Sequence, residues 1–206
     1  MTMLNEYEEL AWAKGATVMG IDEAGRGPLC GPLVVACCVL PIGYQNEEIN
    51  DSKKLSAKKR ERLFKQIVTD AEYFRFVIVP PSHIDEVNIY AATKEAMASL
   101  SAGYSSTLYT LTDAMPLEEE KVISMIKGDA KSISIAAASI LAKVLRDHIM
   151  KGYDILFPEY EYTSHMGYPT KKHIEKMEQY GVTSIYRFSY RPCQGKKMRK
   201  DDPFRK

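Results

Sequence analysis

The sequence predicts an α/β fold: a mixed five-stranded sheet flanked by helices, with a small helical C-terminal extension. Three features predict it. Two strand-like runs, TVMGID at 17–22 and PLVVACCVLP at 32–41, flank the glycine-rich stretch EAGRGPLCG, which is the pattern of a hairpin. Two later runs, TLYTLTD at 107–113 and KVISMIK at 121–127, alternate with helical segments, as parallel strands joined by crossovers do. The segment from Ser132 to about Met150 sets Ile133, Ala136, Ala137, Ile140, Leu141 and Val144 at helical spacing, with Ser132, Ser139, Lys143 and Arg146 on its other side. A chain of 206 residues with 45% apolar content can bury a core of this kind within one domain.

The other elements follow in order. Glu6 to Ala13 forms a short amphipathic helix that Gly15 ends, and Ser56 caps a basic helix running to about Ala71. YFRFVIV at 73–79 is the third strand. Ser82, with Asp85 three residues on, has the form of a capping box and opens a helix reaching about Ser101. The C-terminal helical part starts at about residue 154, is rich in Tyr and basic residues past Phe157, and holds a further short helix from Thr170 to Gln179. Residues 1–191 are expected to form the domain and 192–206 a basic, flexible tail.

Charge nearly cancels, at 28 Lys plus Arg against 27 Asp plus Glu, so any polyanion must be held by local clusters. Residues 53–65 carry seven bases against the single acid Glu61, and residues 193–206 carry six bases and two acids. A solvated helix face accounts for such runs as well as phosphate binding does. Cys30, Cys37, Cys38 and Cys193 have neither zinc-site nor disulfide-framework spacing. Glu6, Glu8 and Glu9 stand where a secretory signal needs an apolar core, and the longest apolar run, Leu33 to Leu40, is too short to span a bilayer. A reduced, cytoplasmic, monomeric protein is expected.

Acids at the tips of apolar strands need a positive partner. Asp22 and Glu23 end the first strand, Asp113 ends the fourth, and Asp129 follows the fifth. If those strands run parallel, the four acids meet at one edge of the sheet. Singly, each is better explained as a solvated strand-end or capping carboxylate; together they point to a hard divalent ion such as magnesium or manganese. That suggests two-metal hydrolysis, in which His83, His148, His165 and His173 are surface or supporting groups, not ligands. Asp147, several turns along the long helix, is expected at the surface.

Laid side by side, five motifs strongly resemble the ribonuclease HII family: GIDEAGRGPLCGP at 20–32, NDSKKLS at 50–56, LTDA at 111–114, KGDAKSISIAAASILAKVLRD at 127–147 and HMGYPTKKH at 165–173. The resemblance implies a ribonuclease H-like sheet. It implies an endoribonuclease that cuts the RNA strand of RNA/DNA hybrids, and cuts at ribonucleotides embedded in duplex DNA, leaving 3'-hydroxyl and 5'-phosphate ends. Asp22, Glu23, Asp113 and Asp129 become catalytic metal ligands for Mn2+ or Mg2+. The backbone of Gly25, Arg26 and Gly27 becomes the sensor of the 2'-hydroxyl, with Tyr168 on the neighbouring sugar. Ser52 and Lys53 are placed near the substrate backbone, and Lys143 and Arg146 are expected to hold phosphates.

The chain departs from the family pattern at three places. Met166 stands where many members have Lys in HKGY, Tyr186 to Tyr190 reads YRFSY in place of HRRSF, and Ala114 replaces the usual Gly after the third acid. All four acids remain. The alternatives are a ribonuclease HIII-like enzyme, which typically has an added N-terminal domain and a different acid set, and a non-catalytic nucleic-acid-binding module, which should have lost a ligand.

Overall fold

The glycine-rich stretch does join two antiparallel strands, β1 (Thr17–Ala24) and β2 (Leu33–Val39), with Asp22 opposite Ala36. The structure, a computed structural model, describes residues 5–104 and 106–204. β3 (Tyr73–Val79), β4 (Thr107–Asp113) and β5 (Val122–Met125) complete a five-stranded sheet in the order β3-β2-β1-β4-β5. β4 lies parallel to β1, and β5 parallel to β4, as the alternation with helices requires. β2 is buried at every position, which is why it reads as a continuous apolar run and why both Cys37 and Cys38 are buried thiols.

The described chain divides into two compact units. The first takes the stretch up to Ala24, Val34–Val77 and Thr93–Val144; the second takes Gly25–Leu33, Ile78–Ala92 and the stretch from Leu145. The C-terminal helical part expected from about residue 154 lies within the second unit, whose last stretch starts at Leu145. The second unit also recruits residues 25–33 and 78–92, because their contacts are with residues distant in sequence.

In the first unit, α1 (Glu6–Trp12) packs on β1 and closes the start of α5 (Ile133–Leu156). The buried Glu8 carboxylate accepts from the Ser132 hydroxyl at 2.5 Å and the Ser134 N–H at 3.2 Å, and Asn5 Oδ1 accepts the Ile133 N–H at 2.9 Å. A helix leaves its first N–H groups without internal partners, and an anion there also meets the positive end of its dipole. Gly20 lets β1 touch α5: a Cβ at this position would lie 2.1 Å from the Ser134 carbonyl carbon. Ser56 caps α2 (Ala57–Asp70) by accepting the Lys59 N–H, as expected.

One expected helix is two. α3 (Pro81–Val87) starts at a proline that has no N–H to satisfy, so Ser82 is already inside it and caps nothing. Asn88, at φ +73°, then breaks the chain, and its side chain accepts the N–H groups of Tyr90 and Ala91 to start α4 (Ile89–Ser101). The Asp85 carboxylate takes the N–H groups of Phe188 and Ser189 and the Ser189 hydroxyl in place of a capping role.

The second unit holds an aromatic core around Phe157, Tyr160, Tyr162 and Tyr186, with two short helices, α6 (Tyr162–His165) and α7 (Lys171–Tyr180). The expected flexible tail is packed here instead. Cys193 is buried in this core, the Arg199 N–H donates to the Val182 carbonyl at 2.8 Å, and buried Asp202 accepts from Ser184. Its Lys and Arg residues gave the segment the composition of a tail, while Met198 pairs with Val182 in a parallel bridge.

Candidate functional site

In the first unit the parallel register decides where the acids go. Ile21 pairs with Thr112, so Asp22 and Asp113 are the next residues along two adjacent strands, and Asp129 lies in a 3-10 turn four residues past β5. One carboxylate oxygen from each of Asp22, Asp113 and Asp129 lies within 4.8 Å of the other two. Asp113 also accepts the Gly128 N–H at 2.8 Å, which ties the turn carrying Asp129 to the end of β4. Glu23 is outside this threesome. Consecutive strand residues alternate between the two faces of a sheet, so the Glu23 side chain starts from the face opposite Asp22, and its charge still acts on Asp22.

Electrostatics marks the cluster as incomplete on its own. Burial pushes the Asp22 carboxyl well above the usual carboxylate range, and the charges of Glu23 and Asp113 push it further; the Glu23 N–H and the Ser139 hydroxyl only partly offset this. Burial, then the charges of Asp51 and Asp113, raise Asp129 in the same direction. Three hard oxygen donors that repel one another fit a hard divalent cation, which would relieve that repulsion.

Around them, the structure sorts the remaining expectations for this unit. Lys53 is exposed, and the charges of Asp22, Asp129, Asp51 and Asp113 outweigh partial burial to raise its pKa, which places its ammonium in the field of the acids. Ser52 is buried, with its hydroxyl 2.8 Å from that of Ser139 on α5. Lys143 is half-buried on the same helix. Asp51 was missed: its carboxylate caps the 3-10 turn of Ser52 to Lys54 through the Lys53 N–H, and its charge helps raise Asp129. It precedes the basic run of 53–65 and stands at no strand end, so the strand-end signal passed over it.

In the second unit, Gly25, Arg26 and Gly27 begin a loop whose carbonyls are held by two buried arginines. Arg146 is 1% exposed and donates to the carbonyls of Pro32, Cys30 and Met166 at 3.0, 3.1 and 3.0 Å. It was expected to hold phosphate; instead its guanidinium is enclosed, and burial, then the nearby Arg187 charge, lower its pKa. Gly25, at φ +102°, is required here because a Cβ would lie 2.2 Å from Arg146 Nε. Tyr168 is 42% exposed, and a Cβ on Gly27 would be 3.5 Å from its ring, so ring and glycine share one exposed face.

Two histidines are also corrected. His165 and His173 are buried and stacked at 4.2 Å, which leaves a supporting role and excludes the surface one, and neither belongs to a cluster of candidate ligands among the described residues. Burial drives His173 down to about 4, so it is neutral; its Nδ1–H donates to the Tyr168 carbonyl at 2.9 Å while Nε2 takes the Tyr186 hydroxyl at 2.8 Å. Asp147 is buried as well, not at the surface, and stays outside the acidic cluster as expected. Met166 packs against the aromatic core, as an apolar side chain in place of the usual lysine should.

Comparison with known proteins shows the family. The family model for ribonuclease HII matches residues 19–193. Ribonuclease HII of Enterococcus faecalis is 49% identical over 194 residues, covering 93% of this chain and 76% of that protein. The crystal structure of ribonuclease H2 from Pyrococcus horikoshii superposes with a TM-score of 0.73 at 27% identity, over 86% of this chain and 95% of that one. At 14% identity, RNase HIII crystallised in complex with Mn2+ shares the fold, with a TM-score of 0.65 over 89% of this chain and 70% of that one. The chain belongs to the ribonuclease HII family, and is a ribonuclease H endonuclease acting on nucleic acid.

Proposed function

We propose that this enzyme uses Asp22, Asp113 and Asp129, with Glu23 beside them, to hold Mn2+ or Mg2+ and hydrolyse the phosphodiester backbone at ribonucleotides, in RNA/DNA hybrids and within duplex DNA. The observation that carries the reading is the meeting within 4.8 Å of three carboxylates from β1, the end of β4 and the turn after β5. When bound, such ions supply Lewis-acid activation of water and stabilise the departing oxygen. The carboxylates supply the negative charge that binds them, and the Asp113 to Gly128 hydrogen bond keeps two of the ligands in register. The products carry 3'-hydroxyl and 5'-phosphate ends, which suits ribonucleotide removal during replication and repair.

Selection for RNA is assigned to the other unit. The N–H groups of the Gly25 to Gly27 loop would meet the 2'-hydroxyl, and the exposed ring of Tyr168 would pack on the neighbouring sugar. Lys53, Ser52 and Lys143 remain the proposed contacts to the substrate backbone. A cytoplasmic monomer suits this work, and no helix among the described residues is long and apolar enough to cross a membrane. The test is cleavage of a DNA duplex carrying one ribonucleotide, with Mg2+ or Mn2+, beside all-DNA and full-hybrid controls. Cutting at the ribonucleotide and not in all-DNA is expected; no cutting with either ion overturns the metal assignment, and equal cutting of all-DNA overturns the sensing role of the loop.

A further inference from the structure

Arg187 lies in the YRFSY stretch that departs from the family pattern, yet it is fully buried and all five of its N–H donors are engaged. Nε and Nη2 donate to the Gly31 carbonyl at 3.2 and 2.9 Å, Nη2 also to the Gly25 carbonyl at 2.6 Å, and Nη1 to the Arg26 carbonyl and the Tyr190 hydroxyl, both at 3.0 Å. Tyr190 completes the set. Its hydroxyl donates to the same Arg26 carbonyl at 2.7 Å, and its ring centroid lies 5.2 Å from the guanidinium carbon.

Peptide geometry turns this clamp into a statement about donors. Among the described residues no peptide bond is cis, and in a planar trans peptide the C=O and the following N–H point in opposite directions. With the Gly25 and Arg26 carbonyls drawn onto Arg187, the N–H groups of Arg26 and Gly27 are aimed to the other side. A cation at the carbonyl end also polarises each peptide and makes its N–H a stronger donor. The loop is thereby built in advance with this pair of donors turned away from Arg187 and with Gly27 beside the exposed Tyr168 ring.

We propose that Arg187 and Tyr190 are the positioning residues of ribonucleotide selection: by clamping the Gly25 and Arg26 carbonyls they aim two backbone N–H groups at the 2'-oxygen of the substrate. The inference rests on the sensing role given to this loop above and names what sets its geometry. Lysine cannot replace Arg187, having three donors and no planar fork. Tyr190→Phe keeps the ring over the guanidinium and removes only the hydroxyl.

The experiment measures kcat/KM of the full-length protein with Mn2+ on a duplex carrying one ribonucleotide and on the same duplex with a 2'-fluoro or 2'-deoxy nucleotide at that site. A purely structural defect lowers all rates together and leaves their ratio unchanged. The preference for the 2'-hydroxyl is expected to fall about threefold in Tyr190→Phe and about tenfold or more in Arg187→Lys, the scale of one and of several lost hydrogen bonds. Should Arg187→Lys fail to fold, Tyr190→Phe decides alone. An unchanged preference in folded Tyr190→Phe overturns the inference, whereas a wild-type protein without the preference overturns the loop reading beneath it.

Discussion

Around Asp22, Asp113 and Asp129 the first unit gathers negative groups that Lys53 only partly offsets, and burial and mutual repulsion raise Asp22 and Asp129. Around Gly25 to Pro32 the second unit buries two guanidiniums and gives them backbone carbonyls as partners. The two regions therefore stand in opposite conditions. The acidic site is held in a repulsive state that a cation would complete, whereas the loop is satisfied from within and needs no ligand to take its shape. Loss of a charge in the first should stabilise the metal-free protein while ending chemistry; loss of a contact in the second should change selectivity more than turnover.

The largest effect expected is on Asp22→Asn, which removes a ligand oxygen's charge. Turnover with Mg2+ or Mn2+ should fall about a thousandfold or more, with duplex binding and the circular-dichroism spectrum retained. Near-normal rates would break the metal assignment. Next, Tyr168→Ala should lower kcat/KM at a single embedded ribonucleotide about tenfold, in line with the loss of one aromatic stack on a nucleotide. An equal rate would mean that the exposed ring plays no part.

The same Asp22→Asn change sharpens the comparison when studied without metal. The Asp22 carboxyl binds its proton more tightly in the folded than in the unfolded chain, so its contribution to stability falls as pH rises from about 4 toward its raised value. In chelator at neutral pH, the variant should therefore melt higher by about 3 °C, equivalent to about 1 kcal/mol for a chain of this length, and the gain should vanish below about pH 4. Saturating Mn2+ should reverse the order, because only the wild type binds it fully. A variant less stable at every pH would show that Asp22 is a structural acid.

The smallest effect concerns Ala114. It sits at φ +53°, in the left-handed region where side chains are strained, directly after Asp113 and donating its N–H to the Met125 carbonyl at 2.9 Å. Ala114→Gly should stabilise the protein by about 0.5 to 1 kcal/mol in chemical denaturation. A loss of stability would mean that the methyl group packs better than the backbone strain costs.

Sequence reading found the acids because each signal was local. A carboxylate at the end of an apolar strand is visible in a window of seven residues, and the alternation of strands with helices then implied which ends lie together. Glu23 follows Asp22 on the same strand, so its side chain starts from the other face, yet its charge still acts on the Asp22 carboxyl. Arg146 went astray: helical spacing placed it on the polar side of α5, but whether a polar side faces solvent or a buried loop is not a property of the helix.

By itself, then, the chain's periodicity determined most element types, the mixed sheet with its parallel β1-β4-β5 side, and the three carboxylates at or just past strands that converge, since these follow from apolar spacing and backbone handedness within short segments. Tertiary structure alone decided that Asn88 splits a helix, that residues 192–204 pack into the second unit, that His165 and His173 are interior, and that Arg187 clamps Gly25 and Arg26 across 162 and 161 residues of sequence. A buried polar group must find a partner, but the chain between them carries no trace of which one until folding brings the two together.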